Sequence, residues 1–260
     1  MPAIMPASDP RPLSDSEARQ KAYYNEIAAT YDQHYGSDEG LAYRTTVFDR
    51  VMAGQDMSGW NALDAMCGGG QNSVYFAERG CQVTGVDISE GQCDFYRQRF
   101  PDSEVYCRSA LDTGLDDESF DLVFTDSLHH LPPHVNRGVA EFHRLLRPGG
   151  LFLAWEPSAR SVFDYARKLW YRLDPTYFED NEQAIDVDQL VDDNRHLFDL
   201  RDVVFGGNVA YASVALSMAM RIPLRLVDLY ARPMQWVENV ITPLQSRHTA
   251  LWAVILLQKR

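Results

Sequence analysis

No run of lysine or arginine occurs in this sequence, and 24 basic residues against 37 acidic ones leave a formal charge of −13. Proteins that hold nucleic acid do so mainly by neutralising phosphates with a basic stripe, so nucleic acid is excluded as the expected partner. Cysteine is scarce: Cys67, Cys81, Cys93 and Cys107 form no CxxC pair and have no histidine at ligand spacing, so neither a disulfide framework nor a metal site is expected. The opening residues lack a charged-then-apolar secretory pattern, and a reducing, cytoplasmic setting is the expectation. The most apolar stretch, VAYASVALSMAM at 209–220, is cut short by Arg221, Pro223 and Arg225, below the ~20 residues a membrane span needs. Internal repeats and low-complexity tracts are also missing.

What remains is an ordinary globular composition, 45% hydrophobic over 260 residues, enough for one sizeable core with an elaboration. Residues 1–15, rich in Pro, Ser and Asp, read as a flexible leader. Two amphipathic segments follow, one from Ser16 to about Gln33 with Ser14 or Ser16 as cap, the other GLAYRTTVFDRVMAG; together they make an N-terminal helical lid over 16–56. From 57 to 260 short β-rich runs alternate with longer amphipathic ones. The strand candidates are NALDAM (61–66), QVTGVDI (82–88), EVYC (104–107), FDLVFTD (120–126), GLFLAWEP (150–157), FDLRDVVFGG and the closing TALWAVILLQKR. RPGG before the fifth reads as a turn. Such alternation predicts an α/β fold with a mostly parallel, Rossmann-like sheet whose ligand lies beyond the carboxyl ends of the strands. Residues 207–247, apolar and helical in pattern with Pro223, Pro233 and Pro243, form a cap insertion.

The first strand runs into CGGGQNS. Glycine tolerates positive φ and has no Cβ to hold a ligand away, and the N–H groups of the helix start that follows face whatever binds. Gly68-x-Gly70-x-x-Ser73 alone is a weak dinucleotide fingerprint. Its companion is Asp87, which closes the second strand 17 residues after Gly70, where a carboxylate can accept from both hydroxyls of a ribose. An adenosine-containing ligand is implied; helix capping by Asp87 is the plainer alternative.

LDAMCGGG, VTGVDIS, DESFDLVFTDSLHHLP and EFHRLLRPGGLFLAWEP, in that order over about residues 60–157, resemble the class I S-adenosylmethionine-dependent methyltransferases. Within them the array is most similar to the small-molecule group with an LDLGCGTG-type first loop, and YYNEIAATYDQHY echoes that group's N-terminal helix. The resemblance implies a seven-stranded sheet with an antiparallel last strand inserted between the fifth and sixth, and S-adenosyl-L-methionine as cofactor. It implies that Gly68, Gly69 and Gly70 pass the methionine end, that Asp87 holds the ribose, and that Ile88 covers the adenine face. Ser109 and Ala110 would meet the adenine edge, Asp126 would lie near the methionine, and Asp64 would order the loop. Two departures stand out. Ser109 replaces the family's usual aspartate, and Met66 replaces the first loop glycine, so positive φ is not expected there and its side chain must either pack away or alter the pocket.

Methyl transfer from a sulfonium needs chiefly alignment and exclusion of water. A weakly acidic hydroxyl still gains from a base, and His129 and His130 in SLHHLPP, with Glu156 in LAWEP, are the candidates; pinning the backbone and capping the next helix are their structural alternatives. Tyr23, Tyr24 and Tyr31 would close over the cofactor. No Asn/Asp-Pro-Pro-Tyr follows the fourth strand, where base-modifying relatives carry a stacking platform. The apolar 207–247 segment favours a hydrophobic acceptor (natural product, isoprenoid, quinone or lipid-like), methylated on oxygen before carbon or nitrogen, and leaves open peripheral membrane contact or a homodimer. A protein of the same fold that binds the cofactor without transferring methyl, as a cyclase or scaffold, is the competing reading. A nicotinamide dehydrogenase is a third, weakened by the missing Tyr-x-x-x-Lys pair.

Overall fold

The computed structural model describes residues 11–173 and 182–260, without the side chains of residues 171 and 172. Residues 1–10 of the expected leader lie outside the described residues. Two helices, α1 (Asp15–Tyr35) and α2 (Asp38–Met52), precede a seven-stranded sheet made of β1 (Asn61–Ala65), β2 (Gln82–Asp87), β3 (Val105–Cys107), β4 (Phe120–Thr125), β5 (Leu146–Pro157), β6 (Phe198–Gly206) and β7 (Trp252–Lys259). Its spatial order is β3-β2-β1-β4-β5-β7-β6. The first five strands are parallel, and β7 runs antiparallel to both β5 and β6. Crossovers are α3 (Gln71–Ala77), α4 (Glu90–Arg99), α5 (Val135–Leu145), α6 (Phe163–Leu173) and α7 (Val187–Asn194), and α8 (Leu224–Ile241) lies in the cap.

Parallel strands covered on both faces need continuous apolar runs rather than alternation. Ala62, Leu63 and Ala65 of β1, and Leu122, Val123 and Phe124 of β4, are accordingly buried. One half of the core, around Val123, Val139, Phe142 and Ile255, packs under α5 and α7; the other, around Phe48, Phe76, Phe124 and Trp252, packs under α2, α3 and the cap. Chain order reverses between β1 and β4, and the crevice above that switch point receives the loops after both strands.

α1 starts with a capping box: Glu17 N donates to Ser14 Oγ and Ser14 N donates back to the Glu17 carboxylate. Tyr43, Val47, Phe48 and Met52 put one stripe of α2 into the core. RPGG is not a turn before a strand but a bulge inside β5: Phe120 pairs with Leu146, then Leu122 with Leu151, and the excess residues are accommodated where Gly149 takes φ +77°.

The cap is tied down by one buried carboxylate. Glu238 of α8 accepts from Tyr43 Oη at 2.5 Å and from the N–H groups of Asn208 and Tyr211 at 2.9 Å each, while Trp252 Nε1 donates to Tyr43 Oη at 2.9 Å. Among the described residues no helix is long and apolar enough to cross a membrane.

Gly207, at φ +82°, leaves no room for a Cβ, which would overlap the Trp252 indole; Gly54, at φ +85°, has open space there. Gly54→Ala carries only the backbone cost of about 1–2 kcal/mol. Gly207→Ala adds overpacking of about 1–3 kcal/mol. Urea unfolding should show the second variant losing clearly more stability than the first.

Candidate active site

Two adjoining cavities occupy the crevice. The smaller, about 60 Å³, lies between α1 and the ends of β1 and β2, with Glu17, Tyr24, Tyr31, Met66, Gly68, Asp87, Ile88, Gln92, Ser109 and Ala110 among its walls. The larger, about 580 Å³, lies beyond β4 and β5 under α6 and the cap, walled by Tyr23, Arg44, Asp126, His129, Trp155, Glu156, Tyr211 and others. Tyr24, Tyr31, Ser127 and His130 line both.

Asp87 sits at the end of β2 with Oδ2 accepting from Gly68 N and Oδ1 from Ser89 N, both at 2.9 Å. Burial raises its carboxyl to about 6 despite those N–H groups. The helix beyond is capped by Ser89, not by Asp87. Met66 does adopt positive φ, +64°, so the expectation that this replacement forbids it is corrected. The conformation costs about 1–2 kcal/mol, and packing compensates, since Met66 lies against the core as well as facing the small cavity.

Of the three loop glycines only Gly68 faces the cavity. A Cβ on Gly70 would strike Tyr96 and Phe100, and one on Gly69 would meet Asp32 and Arg99, so these two answer to packing and to an ion pair. Of the three assigned to the ligand path, Gly68 is the one on the cavity wall in this arrangement. Asp64 also lines neither cavity and is fully buried, its Oδ2 accepting from Ser73 Oγ at 2.8 Å and its Oδ1 without a hydrogen-bond partner among the described residues. Ser109 and Ala110 reach the small cavity, but Ser109 Oγ is bonded to Glu17 at 2.5 Å. Burial opposes ionisation of Glu17; hydrogen bonds from Arg11, Ser109 and Ser14 outweigh it and hold the carboxyl near 2. Arg11, within the expected leader, is thereby fixed to α1.

α1 closes the small cavity. Gln20 Nε2 donates to the His130 carbonyl at 2.9 Å, and Asn25 Oδ1 accepts from Ser89 Oγ at 2.7 Å and Gly91 N at 2.9 Å. The cavity is narrow, about 60 Å³, and α1 forms one of its walls through Glu17, Gln20, Tyr24 and Tyr31. The walls suit a nucleoside. Asp87 offers an acceptor and Gly68 a bare backbone. Gln92, 1% exposed, has neither end of its amide partnered among the described residues, and a nucleoside's polar edge would satisfy it.

The three catalytic candidates meet in the larger cavity. Glu156, at the end of β5 and 1% exposed, accepts from Leu128 N at 2.6 Å, His129 N at 3.2 Å and His129 Nδ1 at 2.8 Å. Burial pushes Glu156 well above the usual carboxyl range, and lowers His129 to about 4 and His130 well below an ordinary imidazole. Both rings are therefore neutral near pH 7. His130 Nε2 is 3.1 Å from Tyr24 Oη and its Nδ1 3.4 Å from Glu182. His129, His130 and Glu182 could also present three ligand atoms within 4.8 Å of one another, a donor set that no local spacing announces. Asp126 lines the larger cavity only, paired at 3.2 Å with Arg44. Tyr23 is likewise confined to it, whereas Tyr31 spans both. Gln92, Glu17 and Arg44 were missed because each comes from a helix whose sequence reads as an ordinary amphipathic face.

Residues 63–154 match the methyltransferase domain family. A malonyl-[acyl-carrier protein] O-methyltransferase of Yersinia pestis is 26% identical over 163 residues, 63% of this chain and 59% of the relative. A fatty-acid O-methyltransferase of Mycolicibacterium smegmatis is 32% identical over 121 residues, 45% of this chain and 44% of the relative. The chain thus spans about half the length of these curated relatives. Magnesium protoporphyrin IX methyltransferase from Synechocystis, solved with S-adenosylhomocysteine, superposes with a TM-score of 0.63 over 95% of this chain and 100% of that one at 13% identity, a likeness of fold.

A buried amide with both ends unpaired costs about 1–3 kcal/mol. Gln92→Met, close in volume, should therefore raise unfolding stability by about 1 kcal/mol in urea titrations while weakening whatever ligand the cleft takes.

Proposed function

We propose, from the match of residues 63–154 to the methyltransferase domain family, that this chain is a class I S-adenosylmethionine-dependent methyltransferase that moves a methyl group from S-adenosylmethionine to an oxygen of a small, lipid-like acceptor. The observation that carries this reading is the pair of adjoining cavities, one beside Asp87 and one beside His129, with Tyr24, Tyr31, Ser127 and His130 as their common wall. The donor's nucleoside belongs to the first and the acceptor to the second, so that the methyl group crosses at the shared residues.

When bound, S-adenosylmethionine supplies an electrophilic methyl group. The chain's part is to hold, orient and deprotonate. Asp87 in its ionised form accepts from the ribose hydroxyls, Ile88 and Ala110 bound the base, and Tyr24 and Tyr31 exclude water. In the second cavity His129 and Glu156 form a dyad. When Nδ1 donates to Glu156, Nε2 is left as the acceptor for the acceptor's hydroxyl proton, and the carboxylate stabilises the imidazolium that forms. Burial works against the ionised form this requires and outweighs the two backbone N–H groups that favour it, so ligand binding has to supply the rest.

The aromatic and aliphatic lining of the larger cavity, with Trp155, Tyr211, Val214, Ala215 and Leu216, supports an apolar acceptor. So do the names of the relatives, one a fatty-acid and the other a malonyl-[acyl-carrier protein] O-methyltransferase. Exposed side chains on the neighbouring helices, Tyr165 and Leu169 on α6 and Leu229 and Trp236 on α8, extend that apolar character to the surface.

Calorimetry with S-adenosylhomocysteine should give a dissociation constant that rises as pH falls below about 6, where Asp87 takes up its proton, and this dependence should be absent in Asp87→Asn. Binding that ignores pH and the substitution alike would remove Asp87 from the site. His129→Ala and Glu156→Gln should each lower methyl transfer to a reactive acceptor about 10²–10⁴-fold without changing S-adenosylhomocysteine affinity. The assay is mass spectrometry for the gain of one CH₂.

A further inference from the structure

Fourteen large apolar side chains are exposed among the described residues, and all but Leu200 lie in two segments, 162–173 and 209–244. At α6 they form a stripe: Val162 just before the helix, then Tyr165, Leu169 and Leu173, all 57–80% exposed at spacings of three and four. Another face of α6, with Phe163, Arg167 and Trp170, walls the larger cavity. On α8 one outward line reads Arg225, Leu229, Arg232, Trp236 and Val240, all exposed, at spacings of four, three, four and four. A surface helix ordinarily buries its apolar stripe; these two helices turn apolar faces to solvent, and patches of this kind mark interaction sites.

The same helices are cationic in a chain whose formal charge is −13. α6 has Arg167, Lys168 and Arg172 against Asp164 alone, although Asp164 pairs with the first two. Residues 221–241 have Arg221, Arg225 and Arg232 against Asp228 and Glu238, and Glu238 is buried inside the cap. The Arg232 side chain is 87% exposed and 3.6 Å from Glu39. Apolar side chains interleaved with cations suit a helix lying in a lipid headgroup layer, where the first enter the acyl boundary and the second meet phosphates. Phe163, Val209 and Met220, 39–49% exposed, also wall the larger cavity, so the two segments supply its rim.

We infer that the outward faces of α6 and α8 rest on an anionic lipid surface, with the rim of the larger cavity turned towards it. A second copy of this chain is the poorer occupant, because a two-fold contact would set each face against its own cations. The surface contact stands without the methyltransferase reading; delivery of a lipid-like acceptor through it rests on that reading.

The test sediments the full chain with vesicles of phosphatidylcholine, alone or with about 30 mol% phosphatidylglycerol. Wild type should bind the anionic vesicles at least about tenfold more tightly than the neutral ones, and added salt should shrink that preference. Leu229→Glu with Trp236→Glu should weaken binding to anionic vesicles at least about tenfold, and Tyr165→Glu with Leu169→Glu should act in the same direction. Arg225→Glu should weaken binding to the anionic vesicles only. Leu200→Glu, outside both segments, should change nothing. All these side chains are exposed, and circular dichroism checks that each variant is folded; if the α8 pair is not, the α6 pair and Arg225→Glu carry the test. Absence of vesicle binding, absence of anionic preference, or equal loss in Leu200→Glu overturns the inference. So does a wild-type dimer in sedimentation velocity that Trp236→Glu splits, since a second copy then covers the face. S-adenosylhomocysteine binding is read separately by calorimetry. Its absence removes the methyltransferase reading and leaves the surface contact standing, whereas its presence without vesicle binding removes only the surface contact.

Discussion

The architecture depends on the reversal of strand order between β1 and β4. At that point two neighbouring parallel strands send their connections to opposite faces of the sheet, and no crossover fills the space above their ends. The loop from β1 brings Gly68 to one side of the gap, and the turn after β4 brings Ser127, His129 and His130 to the other. β2 and β5, the next strands outward, add Asp87 and Glu156. The groups offered for the chemistry come from these four strand ends and from α1, with Ala110 added by the loop after β3.

The carboxylates in and under this gap are handled in different ways, and the differences sort their roles. Asp64 is fully buried, bonded to Ser73 on one oxygen only, and supports the loop from below. Asp87 receives two N–H groups yet is held near 6, so the fold gives up stability above that pH to keep an ionised acceptor against the cleft. Glu156 is anchored by two N–H groups and shares a third proton with His129, the arrangement suited to proton exchange rather than to packing. Glu238 is bonded within the cap to the N–H groups of Asn208 and Tyr211 and across to Tyr43 of α2, which in turn receives Trp252 of β7, and it lines neither of the two cavities.

The strands were legible because each is a short β-rich run bounded by turn residues, and the placement of β7 between β5 and β6 agreed with the resemblance. Asp87, Gly68, His129, His130 and Glu156 were legible because they stand just after strands, where ligands of such sheets collect. Three kinds of feature were not. Met66 argues by its side chain against positive φ, and only the packing around it reveals why the conformation holds. Gly69 and Gly70 look identical to Gly68 in sequence, and the rings and charges opposite them decide that they serve packing. Gln92, Glu17 and Arg44 lie on helices whose periodicity marks a buried face without saying whether core or cavity lies against it.

α1 is a wall of both cavities through Tyr24 and Tyr31, and it is fastened across the gap to His130 by Gln20 and to the start of α4 by Asn25. Any displacement of α1 therefore alters the walls of both compartments together, and the contacts of Gln20 and Asn25 couple the shape of one to the shape of the other.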